Sequence, residues 1–251
     1  MYFFLLTSYA FPQEECIILD GYSKKPIFQL GDELDLAVCP CSTFKIALSL
    51  IGFEEQILID TQHPIWDFQQ DYDDFLNIWK QPHFPLSWMQ NSCIWYSKLL
   101  SQKIGLKKLQ DYLACFDYGN HDISWGLVMP GHQTPFWVPP SSLKISPRQQ
   151  VEFIQKLLLN TFHLNPRSVE KTKELLFKAN LEPGFKLYGK TGWSGSVKPN
   201  QPLEYGWFVG WVESSSNFFP FAYLILGNQL NLDARIPRVI SLIEEAKILK
   251  N

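Results

Sequence analysis

The feature that most restricts the fold is a change of character near Gly184. Beyond it, residues 185–192, 205–212 and 218–226 are runs of aromatic and branched residues broken by polar, Gly- and Pro-bearing segments. Such runs read as strands. Near the other end, residues 16–20 and 26–30 flank Gly21-Tyr-Ser-Lys-Lys25, the pattern of a β-hairpin with a five-residue loop. Between these strand regions the apolar spacing is helical. Helices are predicted over 41–51, ending near Gly52, then over 71–79, 92–104, 106–116, about 146–159, 168–179 and 237–249. Ser146-Pro147-Arg148-Gln149 supplies an N-cap, a proline at the first helical position and a glutamine that closes a capping box. Residues 60–70 and 117–145 read as loops. Strands at both ends with helices between imply an α+β fold. An antiparallel sheet is built from N- and C-terminal strands with flanking helices, and the middle of the chain forms a helical lobe. With no internal repeat or linker, residues 1–251 read as one catalytic-size domain.

Composition narrows the function. Hydrophobic residues are 46% and charged residues 19%, which is globular, and the formal net charge of −3 points to neither nucleic acid nor an anionic membrane as partner. No apolar run approaches the roughly 20 residues of a membrane span. Residues 1–10 read either as the remnant of an export signal or as an N-terminal strand. The five cysteines, Cys16, Cys39, Cys41, Cys93 and Cys115, leave at least one free thiol, and Cys93 and Cys115 fall in apolar helical patterns that suggest packing. No CxxC occurs and the five histidines lack ligand spacing, so no metal site is expected and the histidines read as solvated or loop residues.

Chemistry is suggested by Ala37-Val-Cys-Pro-Cys-Ser42-Thr-Phe-Lys45-Ile-Ala-Leu48. After Pro40 a helix begins, and positions i and i+3 share a face, so Ser42 and Lys45 can meet. A serine hydroxyl needs a base to become a nucleophile, and a lysine becomes one when burial lowers its pKa. Ser-x-x-Lys is weak evidence alone, since Ser141/Lys144 and Ser168/Lys171 repeat it. Those two stand in a polar loop and a polar helix start and read as solvated chance matches, whereas Phe44, Ile46 and Leu48 give Ser42/Lys45 an apolar setting.

Further motifs follow in order: Ser92-x-Ile94-Trp95-Tyr96, Phe116-x-Tyr118-Gly119-Asn120, Lys190-Thr191-Gly192-x-Ser194-Gly195, and Gly206-Trp207-x-x-Gly210-Trp211-Val212-Glu213. With Pro40-x-Ser42-Thr43-Phe44-Lys45, this set resembles the class D, oxacillinase-type serine β-lactamases. The resemblance runs from about Cys16 to Leu249. It implies hydrolysis of a β-lactam amide through an acyl-enzyme on Ser42. It also implies that carbon dioxide is carried covalently on Lys45, as a carbamate that serves as general base. Trp137, in Pro135-Phe-Trp-Val138, matches the tryptophan that stabilises the carbamate, and Ile94 supplies its apolar wall. Ser92 matches the proton relay to the leaving nitrogen, Lys190, Thr191 and Gly192 the substrate-binding strand, and Arg235 the substrate-carboxylate ligand. The N–H groups of Ser42 and Trp193 fit an oxyanion hole. Ser92 also reads as an N-cap, Trp137 as core packing, Arg235 as a surface charge, and Tyr118-Gly-Asn120 as a turn that shapes the cleft. The resemblance further implies a periplasmic enzyme, monomer or homodimer, whose partner is a small β-lactam. Two rivals share the motifs: a penicillin sensor domain, which tends to carry a polar residue where Ile94 stands, and a D,D-peptidase, which resembles Ser-x-Asn where this chain has Ser92-Cys93-Ile94.

Overall fold

The computed structural model describes residues 12–131, 133–181, 184–196 and 203–250, so both readings of residues 1–10 lie outside the described residues. Six strands form one antiparallel sheet: β1 (Gln13–Leu19), β2 (Pro26–Leu30), β3 (Phe177–Leu181), β4 (Phe185–Trp193), β5 (Glu204–Glu213) and β6 (Phe218–Gly227). Their order is β2-β1-β6-β5-β4-β3, so the N-terminal hairpin joins the C-terminal strands through β1 and β6. The predicted α+β sheet with a helical middle is what the chain forms.

The two faces of the sheet differ. Trp207, Val209, Trp211 and Leu224 face the larger core, shared with α1 (Lys45–Glu54), α3 (Ile94–Ile104), α4 (Leu106–Phe116), α5 (Pro147–Leu158) and α6 (Pro166–Leu176). Phe208, Val212, Phe221 and Tyr223 face a smaller core under α7 (Arg235–Glu245), where Val239, Leu242 and Ile243 supply the helix's apolar stripe. Every residue from Lys45 to Phe53 is buried, as expected of a helix apolar on all sides. The sequence places the helix that carries Lys45 inside the molecule for that reason.

Several local expectations change. Residues 71–79 form only a 3₁₀ turn, Asn77–Trp79, because Asp73 is engaged by Lys98 of α3 and by the Gly131 N–H. A short helix, α2 (Pro85–Asn91), was not expected; Pro85 starts it and the Ser87 hydroxyl caps the Phe84 N–H. The 168–179 helix stops at Leu176 and the chain passes directly into β3, whose Phe177 packs on Tyr188. The first helix opens as a 3₁₀ turn, Cys41–Phe44, and runs through Gly52 to Glu54. The last helix starts two residues early and ends at Glu245. The capping box at Ser146 and Gln149 forms as predicted.

Candidate active site

The Ser42 turn is held from several directions. Cys41, just before it, has φ 52°, a left-handed backbone that a non-glycine residue adopts only when its surroundings enforce it. The Cys41 N–H donates to Trp137 O at 2.8 Å, the Thr43 hydroxyl to Pro40 O at 2.6 Å, and Gln150 Nε2 to the Thr43 hydroxyl at 2.9 Å. One helical step on, Lys45 Nζ donates to Ser42 Oγ at 3.4 Å. Lys45 is 1% exposed, and no carboxylate pairs with it among the described residues. Burial pulls its pKa down to about 8, against a smaller opposing pull from Cys93 and Cys41.

β4 lies beside this turn. A Cβ on Gly192 would come within 3.0 Å of Pro40 O and 3.2 Å of Thr43 Cγ2, so only glycine lets the strand approach so closely. Lys190 is buried and donates to Thr191 O at 2.9 Å. Its pKa is driven well below the usual lysine value, first by burial and then by Lys45, Lys178 and Arg235. Four basic side chains therefore share one region, which an anionic ligand would help to hold in their charged form. Ser194 N–H bonds Tyr205 O, and neighbouring residues of an antiparallel pair alternate in direction. That turns the Trp193 N–H away from β5, toward an edge that β3 leaves open, since β3 pairs only with residues 185–188. Arg235, first residue of α7, is half-buried and reaches Gly192 O through Nη1 at 2.5 Å, so it is not a surface charge.

Trp137 is buried and stacks on Phe44 at 5.3 Å, yet its indole N–H has no partner among the described residues. A buried donor left unpaired costs free energy, and this one is not used by any described protein atom. Ser92 is not an N-cap. It takes a left-handed conformation at the end of α2, and Cys93 is the residue that precedes α3. No hydrogen bond among the described residues ties Ser92 or Ile94 to Ser42; Cys93 between them is buried, and burial pushes its thiol pKa up to about 12. Tyr118-Gly119-Asn120 is a turn: Asn120 bonds the backbone of Ser142 and Lys144, and Gly119 sits against Lys144 O.

Three side readings are corrected. Ser141 and Ser168 are buried, not solvated, and Lys144 contacts the Cys39 thiol at 2.9 Å. His83 is buried between Ser87 and Ile78 O. Cys115 is exposed, because it points off the apolar stripe of α4. All five cysteines are free thiols. No cluster of three or more His, Cys, Asp or Glu suited to a metal exists among the described residues, and no helix there is long and apolar enough to cross a membrane. Sequence reasoning missed Lys178 and Glu204. Lys178 sits at an irregularity in the β3–β4 register, invisible without the pairing, while Glu204 stands two residues before Gly206, a same-face position that the strand period reveals.

Residues 33–240 match the penicillin binding protein transpeptidase domain. Beta-lactamase OXA-1 of Escherichia coli is 38% identical over 218 residues, covering 86% of this chain and 77% of that protein. The crystal structure of the OXA-427 class D β-lactamase superposes with a TM-score of 0.80 at 30% identity, covering 94% of this chain and all of the other. The regulatory protein BlaR1 of Bacillus licheniformis is 34% identical over 85% of this chain, which spans only 33% of BlaR1. The fold and the paired serine and lysine thus define a penicillin-recognising serine acyl-transfer protein. Within that class, the chain belongs to the class D serine β-lactamases.

Proposed function

We propose that the protein hydrolyses the amide bond of β-lactams through an ester on Ser42. The observation that carries this is the buried Lys45 amine, 3.4 Å from Ser42 Oγ and without a carboxylate among the described residues. Ser42 Oγ attacks the lactam carbonyl carbon and gives up its proton to the base at Lys45. The lactam C–N bond breaks and the nitrogen takes a proton relayed by Ser92. Water then attacks the ester, and Ser42 leaves with its proton restored. The N–H groups of Ser42 and Trp193 bind the oxyanion in both halves. Lys190, Thr191 and Gly192 align the substrate along the open edge of β4, and Arg235 with Lys190 attracts its carboxylate.

The site fits carbon dioxide bound on Lys45. An amine with a pKa near 8 is partly neutral at physiological pH, the form whose nitrogen attacks carbon dioxide and then loses a proton to leave the carbamate. Trp137 Nε1 is an unused buried donor, and Ile94 contributes apolar wall. A carbamate there supplies an anionic general base for acylation and deacylation. The reading places the enzyme in the periplasm, as a monomer or homodimer acting on small β-lactams. Wild-type protein should turn over benzylpenicillin and Ser42→Ala should not; retained turnover in Ser42→Ala defeats the reading. Activity should fall in degassed buffer at mildly acidic pH and return with bicarbonate, and indifference to bicarbonate argues against the carbamate.

A further inference from the structure

Glu204 opens β5 and is only 6% exposed, an unusual place for a carboxylate. A buried carboxylate needs donors, and its two come from separate segments that both lead to the site. Oε1 accepts the Trp193 indole N–H at 2.7 Å, and Oε2 accepts the Leu230 N–H at 3.1 Å. Trp193 follows Gly192 at the end of β4, and Leu230 begins the turn that ends at Arg235. Arg235 closes the path, donating from Nε to Leu232 O at 2.6 Å and from Nη1 to Gly192 O at 2.5 Å. The circuit therefore runs from Glu204 to Trp193, Gly192, Arg235, Leu232, Leu230 and back.

The sequence permits this because Trp193 lies opposite Gly206. A Cβ on Gly206 would come 3.1 Å from Arg235 Cδ and 3.1 Å from Leu232 Cδ2. The glycine leaves room for the arginine stem, and the indole crosses diagonally to Glu204, two positions along β5 on the same face. β4 ends at Trp193, where the Ser194 N–H to Tyr205 O bond closes the backbone ladder and the indole adds a side-chain tie to β5.

We infer that Glu204 is a positioning residue for the acyl-transfer site, tying the Trp193 N–H and the Arg235 guanidinium into one hydrogen-bonded unit. The inference rests on the reading of Ser42 as nucleophile. Glu204 itself touches no substrate; it acts through the two groups that bind the oxyanion and the substrate carboxylate.

The test uses Glu204→Ala, Glu204→Gln, Trp193→Phe and the double variant Trp193→Phe/Glu204→Ala, with kcat and KM for benzylpenicillin per active site titrated by acylation, and Tm alongside. Trp193→Phe removes the indole donor and keeps the backbone N–H. Glu204→Ala should lower kcat/KM by about tenfold or more, with both a higher KM and a lower kcat. Trp193→Phe should lower it in the same way, and the double variant should match Glu204→Ala within about twofold. Glu204→Gln should regain part of the loss by accepting the indole N–H. Additive losses in the double variant, or an unchanged kcat/KM per active site in Glu204→Ala, overturn the inference. If Glu204→Ala fails to fold, Trp193→Phe with unchanged kcat/KM overturns it alone. Turnover in Ser42→Ala would instead defeat the parent reading, so the two failures are distinct.

Discussion

Lys45 and Lys98 are both 1% exposed, one on α1 and the other on α3, and they are held in opposite ways. Lys98 Nζ bonds the Asp73 carboxylate at 2.8 Å, and Asp73 also accepts the Gly131 N–H. That ion pair fastens α3 to two loops. Lys45 has a hydroxyl where Lys98 has a carboxylate, and burial takes its pKa down to about 8. A buried lysine with a counter-charge is architecture; one without it is a source of a neutral amine. Chemistry is located by the missing partner and not by burial itself.

That contrast can be broken most severely at Lys45. Lys45→Met should reduce kcat/KM by about a thousandfold or more, through loss of the base beside Ser42. The same change should raise stability. The folded-state pKa near 8 lies below the unfolded lysine value, so the folded protein binds fewer protons between the two. In bicarbonate-free buffer, wild-type stability should climb as pH rises from about 8 to about 10, by roughly 3 kcal/mol in total, and Lys45→Met should lack that climb. Thermal or denaturant melts across that range check it.

Lys98→Met should do the reverse. It leaves Asp73 without its ammonium and should cost about 2 kcal/mol of stability in urea melts, with turnover per active site retained. The smallest effect belongs to Trp137→Phe. Removing the orphan indole N–H should raise the bicarbonate needed for half-maximal turnover by about tenfold, beside the modest Tm loss that a smaller buried ring brings. A Tm loss without a bicarbonate shift would make Trp137 simple core packing.

Much of this was legible before any coordinates. The aromatic and branched runs of β4, β5 and β6, the hairpin before them and the apolar α1 follow from residue pattern, because β5 and β6 are buried on both faces and α1 on all sides. Ser42 with Lys45 follows from helical spacing, whereas the close approach of Gly192 to Pro40 and Thr43 shows only in the fold. What escaped depends on pairings between distant segments. Residues 71–79 look helical by their acidic first turn, but Asp73 is spent on Lys98 and Gly131. β3 continues from α6 without a breaker, so only its pairing with β4 reveals the strand. Ser92 looks like a helix start, while its left-handed backbone ends the helix before. Glu204 looks like an ordinary polar strand end until Trp193 and Leu230 are brought to it.

The most direct measurement of the Ser42–Lys45 pair is an intact-mass time course with benzylpenicillin. The account predicts a penicilloyl adduct that clears within the mixing time of wild-type protein, an adduct that never forms on Ser42→Ala, and, on Lys45→Met, either no adduct or one that fails to clear. An adduct persisting for hours on wild-type protein in bicarbonate would contradict hydrolysis and leave the site a penicillin sensor.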